Sequence, residues 1–316
     1  DPLDVNTSAV EVSLELKRFE DDLFQPPNDT ITMAYANELS DNYGDFFKHY
    51  TEDILNLGTP GDPALVYNLN RFIHDADVRK VFTDCKKKYK GFLVPFQEIL
   101  NGFIHYRYYF PDKNIPTVTT YFSGFNYAVA VTDSNLGIGL DMYLGKDYPL
   151  YERIGFPKYK SNKMTEERLP IDALRAWIST EFEKPRTENL LEEMLYEGKV
   201  LYALEAMFPS KPDSLIAGYT APQSHWLEEN VHQMWGFFIR EELFFAQEYA
   251  TITKFIGDGP FTSGLGKESP PRTGVWLGWQ IVRAYMEEHP GTKLEQLFDD
   301  TNSQAFLAAS KYKPKT

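Results

Sequence analysis

The chain has 316 residues, with 32 Lys and Arg against 46 Asp and Glu, for a formal charge of −14. That balance argues against a nucleic-acid binder and against adsorption to an anionic bilayer through a basic face, because both rest on Lys and Arg neutralising phosphate. Hydrophobic residues at 42 % and charged residues at 25 % suit a folded chain rather than a disordered one, and no apolar run reaches the roughly 18 residues a spanning helix needs.

The first patterned segment is Val10, Val12, Leu14 and Leu16 alternating with Glu11, Ser13, Glu15 and Lys17, the period of a half-buried strand. Residues 31–58 predict a helix, with Phe46, Phe47, Tyr50, Ile54 and Leu57 on one face, ended by Thr59-Pro60-Gly61-Asp62-Pro63. Residues 64–110 predict helix again. Cys85 is the one cysteine, so no intrachain disulfide forms, and it lies on an apolar stripe with Val78, Phe82 and Tyr89 as a small buried hydrophobe. A β segment follows: strands at 117–122 and 127–132, a turn at Asp133-Ser134-Asn135, and a return strand at 136–144. Helices are predicted from 165 or 169 to 183, with Pro170 in the first turn, and near 187–207, 223–250, 274–288 and 293–309. Loops at 209–222 and 257–273 carry Pro and Gly. The simplest account is one α+β domain over 1–316, with helices on one side of a small antiparallel or mixed sheet. It has a strand and helices in 1–115, the sheet segment in 116–145 and a helical part in 146–316.

Chemical motifs are sparse. None of the six histidines is followed by Glu, and no two are three or four apart; His225 and His232, seven apart, would sit about 10.5 Å from each other along a helix, too far to share a zinc ion. A histidine zinc site is therefore not expected, nor is any other cofactor. The segments around Ser123 and Ser263 lack a G-x-S-x-G elbow, Gly264-Leu265-Gly266-Lys267 lacks P-loop spacing, and Gly137-Ile138-Gly139 lacks the third glycine of a dinucleotide fingerprint. Glu197 stands out, because Leu190, Met194, Glu197, Leu201 and Leu204 follow a 4-3-4-3 spacing that puts a carboxylate on an apolar line. Such a carboxylate is paired, protonated or functional. Gly198 beside it admits another backbone. Gly274 and Gly278, four apart in an almost wholly apolar helix, suit close helix packing.

Several stretches taken together resemble the gliding motility-associated lipoprotein GldB family of Bacteroidetes. They are Leu16 to Phe24, Tyr108 to Pro111, Ile138 to Gly145, Glu197-Gly198-Lys199-Val200-Leu201-Tyr202, Gly274 to Tyr285 and Ser310 to Pro314. The resemblance implies a cell-envelope or outer-membrane lipoprotein, with a signal and lipidated Cys lying upstream of Asp1 and other envelope motility or secretion proteins as partners. A more distant similarity, carried by Glu197-Gly198, Tyr202 and Gly274 with Gly278-Trp279, is to zinc-dependent peptidase-like proteins of the gluzincin kind. It implies a zincin-like scaffold on which Glu197 matches the third metal ligand. The helix before it contains no His, so the metal site would be decayed. The leading expectation is a non-catalytic envelope component. Alternatives are a hydrolase using Glu197, Asp141 and Glu181 as acid–base carboxylates, with Tyr202 in the same cleft, and a glycan- or peptide-binding protein using Tyr121, Tyr143 and Trp279.

Overall fold

Backbone pairing in the computed structural model, which describes residues 3–314, builds one four-stranded sheet. Its strands are β1 (Leu16–Arg18), β2 (Thr117–Tyr121), β3 (Val129–Val131) and β4 (Asn135–Gly139), in the order β1-β2-β4-β3. β1 and β4 both run parallel to β2, with Lys17 opposite Thr119 and Thr119 opposite Gly137, and β3 closes the edge antiparallel to β4. The sheet is mixed and the rest of the fold is helical, an α+β architecture.

The chain clusters into two compact units, each discontinuous in sequence. One comprises 11–100 and 114–177 and holds the sheet; the other comprises residues up to 10, 101–113 and 178 onward. In the sheet unit, Phe19 sits at the centre of an aromatic core. Its ring meets Tyr43, Phe46, Phe47 and Tyr50 edge-on at 4.7 to 6.1 Å, the arrangement ring quadrupoles favour. Glu20, next to Phe19, is buried and held by Arg18 at 2.6 Å and Thr120 Oγ1 at 2.7 Å, while burial pushes its carboxyl up.

The helical unit is built around helix Leu190–Met207 packed on helix Thr273–Glu288. The first starts at Asn189, whose side chain accepts the Glu192 N–H at 3.1 Å, and Glu192 and Glu193 complement the dipole in the first turn. The two helices meet through glycines. A Cβ on Gly278 would lie 1.9 Å from the Met194 carbonyl oxygen, and one on Gly198 would lie 2.4 Å from the Gly278 carbonyl carbon. Gly274 faces the Phe255 carbonyl oxygen at 3.0 Å in the same sense. The close packing expected of these glycines is present. It explains the Glu-Gly and Gly-x-x-x-Gly elements as packing devices.

The long predicted helices are broken. Residues 31–58 form helix Met33–Tyr43, then Gly44 at φ 53°, then helix Asp45–His49 running into a π-helical turn at Tyr50–Ile54. Residues 64–110 form three helices, Pro63–His74, Ala76–Lys88 and Leu93–Tyr109. Asp75 divides the first two, its side chain accepting the N–H groups of Asp77 and Val78 at 2.9 and 3.0 Å as an N-cap. Gly91 and Phe92, both at positive φ, divide the last two. The predicted helix at 223–250 comprises Ala221–Glu229 and Val231–Arg240, followed by a 3-10 turn. Helix Tyr249–Ile256 comes next, and the segment predicted at 293–309 divides into Leu294–Asp299 and Ser303–Ser310. The strand predicted at 136–144 ends at Gly139 and turns into a 3-10 segment, Leu140–Tyr143. Among the described residues no helix is long and apolar enough to cross a membrane.

Candidate functional site

The helical unit contains a cleft of about 460 Å³ beside the start of helix Leu190–Met207, within the size range of ligand sites. Its walls come from the segment between helices Leu169–Glu181 and Leu190–Met207 and from the two short helices Leu294–Asp299 and Ser303–Ser310. The segment is stitched in place by the helix it precedes. Glu192 accepts from the Glu188 N–H at 2.6 Å and from Asn189 Nδ2 at 2.9 Å, and Glu193 pairs with Lys184 at 3.0 Å. Tyr196 donates its hydroxyl to the Phe182 carbonyl at 3.1 Å. These bonds aim Phe182 inward, where its ring stacks on Phe298 with centroids 4.2 Å apart and planes at 14°.

Lys199 lies in the cleft wall, one residue past Gly198, and is 6 % exposed. Its ammonium donates to the Asp300 main-chain carbonyl at 2.5 Å and sits 5.0 Å from the Phe306 ring centroid. Burial pushes the Lys199 ammonium down to about 8, against the opposing pull of Asp300 and Asp299. Seven acidic residues line the cleft against three basic ones. Sequence reasoning missed Lys199. The signal was available: helix 190–207 is apolar on nearly every side, so a lysine in its middle cannot reach bulk water from any face.

The singled-out residues divide between the two units. Glu181 lines the cleft and pairs with Lys113 at 3.3 Å, whose ammonium also stands 4.9 Å from the Phe182 ring centroid. Glu197 is half-buried on the same helix as Lys199 and is engaged in a polar or electrostatic contact. Tyr202 is buried, and burial pushes its phenol well up. Trp279 is wholly buried; its indole N–H donates to Glu205 Oε2 at 3.0 Å, and Arg283 stacks at 3.9 Å from its ring centroid. Arg283 joins Glu205 at 2.8 Å to Asp213 at 2.6 Å. Glu205 was not foreseen. Its burial raises its carboxyl while Arg283 lowers it.

Asp141, Tyr121 and Tyr143 belong to the sheet unit. Asp141 is wholly buried. One carboxylate oxygen accepts the Ser123 N–H at 2.8 Å, and the other accepts the Ser123 hydroxyl at 2.9 Å and the Phe125 N–H at 2.6 Å. Burial raises this carboxyl, and those three donors oppose the rise. Tyr121 packs edge-on against Phe46 and donates to the Tyr127 carbonyl at 3.2 Å. Tyr143 donates to Asp172 Oδ2 at 3.2 Å. Both rings are buried, so neither presents a face to solvent.

The residues present do not fit a zinc site at Glu197. Helix Leu169–Glu181 carries no histidine, and among the described residues no three His, Cys, Asp or Glu side chains converge so as to hold an ion. In place of a metal centre, the helical unit offers an aromatic-walled, acid-rimmed cleft with a buried ammonium in its wall, suited to binding by charge and stacking.

A search of curated proteins found no match, and neither did a search of solved structures. The family model described as gliding motility protein GldB matches residues 1–314, so the chain belongs to the gliding motility protein GldB family.

Proposed function

We propose that the chain is a non-catalytic cell-envelope lipoprotein that serves the gliding motility machinery by holding other proteins of that apparatus. In this reading the scaffold is a peptidase-like one without metal-binding histidines, and the protein is exported and anchored through a lipidated Cys upstream of residue 1. The observation that carries the proposal is the family match along residues 1–314. The state of the candidate carboxylates supports it. General acid–base work needs a carboxyl free to exchange a proton with substrate. Asp141 spends both oxygens on the 123–125 loop, and Glu181 is paired with Lys113.

The test is genetic. Deleting the gene in its host should abolish colony spreading and single-cell gliding, and the native gene should restore both. A Glu197→Gln variant, present at normal abundance, should restore them equally well. Normal gliding in the deletion strain would remove the motility role. A folded, abundant Glu197→Gln protein that fails to restore movement would replace the non-catalytic reading with a catalytic one.

A further inference from the structure

The Lys199 ammonium is an electrostatic anomaly. The residue as a whole is 6 % exposed, and among the described residues the one hydrogen-bond acceptor of its ammonium is the Asp300 carbonyl, leaving two N–H donors unspent. No carboxylate of the described residues comes within ion-pairing reach of it; Asp299 and Asp300 act on it only from farther off. Buried charges in proteins are ordinarily paired, because an ammonium taken out of water without a counter-ion is costly. Here the unpaired cation lies in the wall of a cavity of ligand size. An anion entering that cavity would supply the close counter-ion that Asp299 and Asp300 do not.

The rim restricts which anion can enter. Acidic residues outnumber basic ones seven to three in the lining, Lys199 included, and even with Glu181 paired to Lys113 the excess disfavours a bare anion, a doubly charged phosphate more than a carboxylate. An anion that brings its own positive charges is admitted. The stacked Phe182–Phe298 pair adds a flat apolar wall for a side chain. A neutral sugar would leave the ammonium as it is. We propose that this cleft binds the free C-terminal carboxylate of a short cationic peptide, with Lys199 as its counter-ion and the acidic rim receiving the peptide's Lys or Arg side chains. The inference goes beyond the motility role and does not depend on it.

The experiment is fluorescence anisotropy on the whole chain with a set of fluorescein-labelled tetrapeptides. Each carries two basic residues and one aromatic residue, and each is made as the free acid and as the C-terminal amide. The free acids should bind about tenfold or more tighter than their amides, the difference a charge-assisted hydrogen bond supplies. Lys199→Met should erase that difference while leaving the circular dichroism spectrum unchanged. Binding of the acid at pH 8 should take up protons from the buffer, measurable in buffers of different ionisation enthalpy. Equal affinity of acid and amide across the set overturns the proposal, as does an acid preference that survives in Lys199→Met. If sodium acetate or inorganic phosphate displaces the labelled acid at equal millimolar concentration, the pocket takes simple anions only and the peptide assignment falls. Where Lys199→Met does not fold, the acid–amide comparison and the proton uptake in the native protein decide between the outcomes.

Discussion

Gly278→Ala tests the central packing claim, because two effects of opposite sign compete in it. In a solvent-exposed helix, Gly to Ala stabilises by about 1 kcal/mol through backbone entropy. At Gly278 the new methyl carbon would start 1.9 Å from the Met194 carbonyl oxygen, where real Cβ contacts do not fall below about 3.0 Å. Helices Leu190–Met207 and Thr273–Glu288 would therefore have to separate locally by about 1 Å. The obstacle is backbone, so no side chain can rotate away to make room. Overpacking of a core costs about 1–3 kcal/mol, and a backbone clash belongs at the top of that range. Set against the propensity gain, the net expectation is a loss of about 2 kcal/mol. Gly236 supplies the control: it lies in helix Val231–Arg240, and a Cβ there meets nothing within 4 Å. Gly236→Ala should stabilise by about 1 kcal/mol. Urea unfolding followed by circular dichroism measures both. A Gly278→Ala midpoint equal to or above that of the native protein would refute the account of this helix pair.

Three further outcomes are expected. Lys199 has a folded-state pKa of about 8 against an ordinary value of 10.5. The unfolded chain therefore binds more protons between those values, and Lys199 makes stability rise with pH across that window by up to about 3 kcal/mol. Lys199→Met should remove that rise and stabilise the protein at neutral pH, read from the native-minus-variant difference in urea unfolding at pH 7 and pH 10. Asp141→Asn should destabilise by about 2 kcal/mol, because an amide N–H₂ would face the donors of Ser123 or Phe125; thermal unfolding checks it, and an unchanged midpoint would show that the 123–125 loop does not depend on the carboxylate. Elemental analysis of purified, metal-supplemented protein should find no stoichiometric zinc, and one zinc per chain lost in Glu197→Ala would contradict the fit argument made at Glu197.

The sequence made the helix–helix core and the sheet segment legible, for identifiable reasons. Gly278 and Gly198 could be read because glycine in an apolar helix interior has few uses other than close approach. Strands β2 and β3 could be read because β-branched and aromatic residues cluster in their segments, whereas β4, Asn135-Leu136-Gly137-Ile138-Gly139, has a single β-branched residue and could be read as the return after the turn at Asp133 and Ser134. Residues 10–16 do alternate between half-buried and exposed, as the pattern predicts, but only Leu16–Arg18 enters the ladder. Alternation reports burial of one face, while a ladder needs a neighbouring strand, and β1 is an edge strand beside β2 alone. The helix breaks were missed because local devices make them. Asp75 caps the next helix with its own side chain, and Phe92 takes φ 53° although it is not glycine.

Charged residues on a core helix mark the places where sequence patterning stops specifying packing and starts specifying something else. Helix Leu190–Met207 carries three such residues beyond its first turn. Glu205 is resolved inside the fold by Trp279 and Arg283, the fork of Arg283 spanning Glu205 and Asp213. Glu197, half-buried, is engaged as well. Lys199 alone is left with a main-chain carbonyl, an aromatic face and no counter-ion among the described residues. A structural lysine at that position could be replaced by Met or Leu with a gain in stability, since removing an unpaired buried charge removes its desolvation cost. If Lys199→Met is both more stable and fully functional in gliding cells, the ammonium is incidental. If it is more stable and the cells stop moving, the protein gives up stability at Lys199 to keep a charge its function uses.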